Sequence, residues 1–320
     1  MTPRPVARDR YCGFGLSIES EIRLPAPFDA KSPPTVPDLT MRRGRLPDVD
    51  MARAHTMRIS SSICIVESGV DHWVILARGV DASDRFTAHV RRGRIDVDWT
   101  DGVHEADVGR QLLGVGIAAH AYVSECACFH GSVIEAGGGT AAILGPSGAG
   151  KSTLVAGLVA AGARLVTEEV IVVDSDGGIR SGVPGVKIAA QMAAAFGAEV
   201  FANRQAAAEH PAYSSEGIVV ALRPSQFLST PLRTIGGVYI LGDRHAGSDP
   251  IFHLAVSRAQ GAAILAGSGY WMPHLPRRCQ ATNFAAAQRL ALESSVQRVD
   301  LPNDLSALSR AADCMYEHIA

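Results

Sequence analysis

GTAAILGPSGAGKSTLVAGLVAAGARLVTEEVIVVD, residues 139–174, is the stretch that decides the fold. An apolar run at 141–144 reads as a strand, a glycine-rich loop follows, and 152–161 has the pattern of a helix. The loop, Gly145-Pro146-Ser147-Gly148-Ala149-Gly150-Lys151-Ser152-Thr153, is a complete G-x-x-x-x-G-K-[ST] sequence. Each residue type has a chemical reason. Glycines let the backbone turn with its N–H groups facing inward, and the helix N-terminus adds positive potential. Lys151 reaches the outer phosphates of a nucleotide, and the Ser152 hydroxyl is placed to ligate Mg²⁺. A strand–loop–helix with these residues predicts a nucleotide-binding α/β core.

A phosphate loop does not say what becomes of the nucleotide, so the acidic partner matters. Two candidates follow the helix. Asp174 ends the apolar run 170–173, the usual place for a magnesium-holding aspartate, yet it comes unusually soon after Lys151. Glu168-Glu169 lies directly behind the strand 164–167, where one carboxylate can hold Mg²⁺ and the other accept the proton of an attacking hydroxyl. The doublet is the preferred reading, with Glu168 and Glu169 interchangeable in role. His130, at the end of the strand 129–135, is a further candidate beside the transferred phosphoryl group. Lys187 and Arg223 are weaker sources of positive charge, and His210, His253 and His274 show no metal-ligand spacing.

Outward from this core, 320 residues suggest two domains. Alternation at 58–66, 72–78, 86–90 and 94–99 predicts a β-rich first third, and five prolines between 25 and 37 predict an extended connector. A helical pattern at 108–122 closes this domain, which places the boundary near residue 125: a β-rich α+β domain at 1–125, a candidate for substrate recognition, and a nucleotide-binding domain at 126–320. Arg42-Arg43-Gly44-Arg45 and Arg91-Arg92-Gly93-Arg94 read as solvated turns. Downstream, apolar runs at 217–222 and 238–241 are expected to extend the sheet. Helices are expected at 258–266, 285–293 and 304–319.

Composition narrows the class. The chain is 47% hydrophobic and 19% charged, the profile of a globular protein, and 30 Lys+Arg against 32 Asp+Glu leave no basic excess for nucleic acid. Six cysteines form no CxxC pair, which argues against zinc. No secretory pattern opens the chain, so reduced thiols and a cytoplasmic location are expected. The apolar stretches at 112–123 and 154–166 fall short of the ~20 residues that cross a membrane.

His130-Gly131-Ser132-Val133, the phosphate loop, and Ala163-Arg164-Leu165-Val166-Thr167-Glu168-Glu169-Val170 together resemble the kinase core of the HPr kinase/phosphorylase family. That family shares the P-loop fold variant of phosphoenolpyruvate carboxykinase. It has a His-Gly pair before the loop strand and an Asp-Asp doublet after "R-L-V", so this sequence departs in carrying Glu-Glu. Its second glycine-rich signature has no good counterpart here; the nearest stretch is Glu216-Gly217-Ile218 to Arg223. Pro184-Gly185-Val186-Lys187 and 189–197 look like the loop and short helix of the relatives. The first third, with Tyr11-Cys12-Gly13-Phe14-Gly15-Leu16 and Ser20-Glu21-Ile22-Arg23-Leu24-Pro25, looks like relatives that tailor ribosomally made peptides, including lasso-peptide precursors.

The resemblance implies an ATP-dependent kinase acting on a serine hydroxyl of a protein or peptide, with Mg²⁺, and homo-oligomers are known among the HPr-directed relatives. Two alternatives stay open: a nucleotide-binding regulatory module without transfer, and a small-molecule kinase or carboxykinase-type enzyme on the same core.

Overall fold

A computed structural model describes residues 8–25, 36–46, 55–60, 62–78, 85–188, 218–272, 274–304 and 307–320. Most of the proline-rich connector, the expected helix at 189–197, and His210 lie outside the described residues. The chain divides into two compact units, one formed by Met1–Cys126 with Trp271–Gln280, the other by Ala127–Tyr270 with Ala281–Ala320.

The first unit is built on an eight-stranded mixed sheet. Its strands are β1 (Asp9–Gly13), β2 (Leu16–Ser20), β3 (Leu39–Arg43), β4 (His55–Arg58), β5 (Ile63–Gly69), β6 (His72–Arg78), β7 (Arg85–Arg91) and β8 (Arg94–Trp99), in the order β1-β2-β3-β8-β7-β6-β5-β4. Period-two alternation puts Ile18, Met41, Ile95, Ala88, Ile75 and Ile65 on one face, all buried. Helices α1 (Glu105–Gln111) and α2 (Ile117–Val123) are joined by a π-helical turn, Leu112–Gly116, where the sequence pattern suggested one uninterrupted helix. Tyr122 of α2 stacks on Trp73, with ring centroids 5.7 Å apart.

Two expectations for this unit are corrected. Residues 58–66 do not form one strand; the chain reverses after β4, and the Ser60 hydroxyl accepts the Ile63 amide to close the turn into β5. A polar Ser-Ser-Ser run interrupts the alternation there, and serine hydroxyls compete for backbone groups. Arg42 and Arg43 finish β3 instead of forming a turn, and the Arg43 guanidinium lies 3.9 Å above the Trp99 ring. The second basic cluster does form a hairpin turn between β7 and β8, with Gly93 at φ +72°.

The second unit is a mixed sheet with helices on both faces, an α/β arrangement. Its strands are β9 (Ala127–Ala136), β10 (Gly139–Leu144), β11 (Arg164–Thr167), β12 (Val170–Val173), β15 (Gly237–His245), β16 (Ile251–Phe252) and β17 (Ser295–Pro302). They run β11-β9-β10-β15-β17-β16, with β12 also on β9; β10, β15 and β17 are mutually parallel. Helix α3 (Lys151–Ala160) and helix α6 (Leu308–Ile319) cover one face through Leu154, Leu158, Ala312 and Met315, packed on Ile134, Ile143, Leu165 and Leu241. Helix α4 (Arg258–Gly267) and residues 281–293 of helix α5 (Arg277–Glu293) cover the other through Leu265, Ala287 and Leu290, against Val133, Leu144 and Val238.

Here too the sequence misled in places. The run at 217–222 gives β14 (Ile218–Ala221), which pairs with β13 (Gly185–Ile188) in a separate two-stranded ladder and does not extend the main sheet. The strand β17 was not expected, because Gln297, Arg298 and Asp300 interrupt its buried Val296, Val299 and Leu301 and leave no alternation. Helix α5 starts eight residues earlier than its apolar pattern, and α6 starts at Leu308. Among the described residues no helix is long and apolar enough to cross a membrane.

Candidate active site around the glycine-rich loop

Strand β9 organises the site. Its residues Gly131–Ala136 pair with β10 on one side, and Ser268–Tyr270 continues beyond the end of β10 along Cys128–His130. On its other side β9 carries β11 and then β12. Gly131 is required at the crossing: a Cβ there would collide with the Leu144 side chain and the Ile143 carbonyl.

Beyond Leu144 the chain leaves the sheet as the glycine-rich loop and enters α3. Gly150 caps the helix at φ +92°, a left-handed conformation that L side chains resist. The first backbone N–H groups of α3 have no acceptors within the helix and face the loop. Lys151 is buried, and its ammonium donates to the carbonyls of Gly145 (2.9 Å) and Pro146 (3.0 Å). Burial lowers its pKa, and the nearby Glu168 and Glu169 act in the opposite direction.

The carboxylate doublet sits where the strand breaks between β11 and β12. Glu169 has φ +69°, and its carbonyl accepts the Gly131 amide at 3.3 Å. The Glu168 carboxylate accepts the Lys187 amide at 3.2 Å and bonds the Ser152 hydroxyl. Burial, with Glu169 beside it, pushes Glu168 up to about 7. His130 is driven the other way, down to about 4, by burial and then by the Lys151 charge. Its ring is hydrogen-bonded to the Glu169 backbone carbonyl and meets the Tyr270 ring edge-on at 5.4 Å.

These groups line one cavity of about 380 Å³, formed by His130, Ser132, Ser147, Gly148, Gly150, Lys151, Ser152, Thr153, Glu168, Glu169, Lys187 and Ile188. Of the sequence candidates, Gly145 and Ala149 belong to the loop without lining the cavity. Asp174 is elsewhere: its carboxylate accepts from Arg180 at 2.8 Å, at the far end of β12. Arg223 is exposed and outside the cavity lining, and His253 pairs with Asp300 at 2.8 Å.

Three neighbours were not anticipated. Ser132 shares the inward face of β9 with His130, which strand periodicity would have indicated. Tyr270 belongs to a segment with no alternation of its own. Arg244 lies three residues past the apolar run at 238–241; its guanidinium donates to the Ala149 carbonyl in the loop and to the Pro302 carbonyl, each at 2.8 Å.

No family model matches the sequence, and no curated protein matches it. Among solved structures the chain is similar to the Hpr(Ser) kinase/phosphatase from Coxiella burnetii, at 12% identity over 60% of this chain and 95% of that one, with a TM-score of 0.27. The likeness is weak.

Proposed function

We propose that the chain is an ATP-dependent serine kinase of the HPr kinase type, transferring the γ-phosphoryl group to a hydroxyl of a protein or peptide with Mg²⁺ as cofactor. One observation carries the reading: a single cavity is lined by the phosphate-loop residues and by the carboxylate doublet. On this reading phosphate-binding and proton-accepting groups face the same space, as in-line transfer requires.

The donor set fits the cofactor. Ser152, Glu168 and Glu169 offer oxygens only, and Mg²⁺ takes one or two carboxylates and fills its remaining positions with water and substrate phosphate oxygens. No group of three or more His, Cys, Asp or Glu that could hold a metal occurs among the described residues. When bound, Mg²⁺ neutralises charge on the transferring phosphoryl group.

The chain's own residues divide the remaining work. Lys151 exchanges the carbonyls of Gly145 and Pro146 for phosphate oxygens, alongside the N–H groups of Gly148 to Ser152. The Ser152–Glu168 hydrogen bond favours that pair as metal ligands, which leaves Glu169 to accept the hydroxyl proton. His130, neutral at pH 7, brings no charge; bonded to the Glu169 carbonyl, it orients the doublet. The choice of a peptide acceptor rests on the resemblance of the first third to peptide-tailoring kinases.

The test is transfer from labelled ATP with Mg²⁺ to serine-containing peptides and to HPr, with Glu169→Gln in parallel. The variant should bind nucleotide normally and lose about 10²–10⁴-fold in transfer. Near-wild-type turnover would remove Glu169 as the base, and tight ATP binding without transfer to any acceptor would favour a binding module.

A further inference from the structure

We propose that Arg244 is a positioning residue that clamps the phosphate loop from behind and sets the direction of the Gly150 N–H; this rests on the nucleotide-binding reading of that loop. Arg244 stands at the end of β15, held between the parallel strands β10 and β17. One guanidinium nitrogen donates to the Ala149 carbonyl and another to the Pro302 carbonyl at the end of β17. The loop is thereby tied to a frame of three paired strands.

The peptide unit gives the contact its consequence. In a trans peptide the carbonyl of one residue and the N–H of the next point in opposite directions. Holding the Ala149 carbonyl outward therefore turns the Gly150 N–H toward the interior of the loop, where an anion is read. Arg244 is exposed overall, yet partial desolvation lowers its pKa, and its guanidinium is directed at the two backbone carbonyls. Gly150 completes the fit, because a Cβ at this position would collide with the guanidinium.

The experiment compares wild type, Arg244→Met and Arg244→Lys by the NMR order parameters of the backbone amides of residues 147–151 in nucleotide-free protein, by calorimetric titration with inorganic tripolyphosphate, and by thermal melting. Arg244→Met should drop the Gly150 order parameter from the rigid range, about 0.85, to the flexible range, below about 0.6, and weaken tripolyphosphate binding about tenfold, with the melting temperature little changed. Arg244→Lys, which keeps the charge but not the two-pronged geometry, should recover part of both, and supplies the measurement if the methionine variant does not fold. An unchanged Gly150 order parameter in both variants overturns the clamp. If wild type takes up neither tripolyphosphate nor ATP, the kinase reading falls, while the loop order parameters still decide the clamp.

Discussion

Acidification should expose the cost of keeping His130 neutral. Its folded pKa near 4 lies below the ordinary value of 6.5, so between these limits the unfolded chain binds more protons than the folded one. The stability due to the neutral ring is complete above pH 6.5 and is lost as pH falls through 6.5 toward 4. At pH 5 the loss is about 2 kcal/mol. Glu168 works in the other direction: raised to about 7, it stabilises the folded state as pH falls, by a similar amount over the same interval. These two contributions nearly cancel within the second unit between pH 7.5 and 5, so the effect must be read by difference. His130→Asn removes one side of the balance, so the variant should gain about 2 kcal/mol relative to wild type on going from pH 7.5 to 5. All three tryptophans, Trp73, Trp99 and Trp271, belong to the first unit, so fluorescence would report the wrong one. Hydrogen exchange at the β9 amides, corrected for intrinsic pH dependence, reports the second unit. Parallel stability–pH curves for variant and wild type, or an NMR titration placing His130 near 6.5, would refute the neutral imidazole.

Two further predictions concern the same cavity. Lys151→Met should weaken nucleotide binding and lower transfer by about 10²–10³-fold, measured by titration and steady-state kinetics, because the buried ammonium has no substitute in the loop. Gly131→Ala should destabilise the second unit by about 1–3 kcal/mol, read by exchange at β9, since the new Cβ meets Leu144 and the Ile143 carbonyl.

Much of this organisation was legible because short-range patterns carry it. The loop with its flanking strand and helix, and the strands β6 to β8, follow from glycine chemistry and period-two alternation. The preference for Glu168-Glu169 over Asp174 came from chain order, and in the structure the doublet lines the cavity while Asp174 pairs with Arg180. What escaped depends on distant partners. Arg298 and Asp300 mask β17 because their charges satisfy one another and Asp243 across the sheet, a compensation no local window contains. Arg244 and Tyr270 reach the site only because β15 and the Ser268–Tyr270 segment come to lie beside β10 and β9.

The break that presents the two glutamates has a consequence for how their chemistry can vary. The pairing with β9 shifts register between Leu165 and Thr167, but Thr167 faces Val133 and Val170 faces His130, so from Thr167 onward one frame spans the gap. The doublet behaves as a bracket mounted on a rail: what hangs from it can be exchanged without moving the rail. Aspartate for glutamate at either position changes reach by one methylene and leaves the ladder intact. An insertion or deletion of one residue between Thr167 and Val170 would instead turn every side chain of one flanking strand to the opposite face. Length is the protected quantity at this point of the chain, and side-chain identity is the adjustable one.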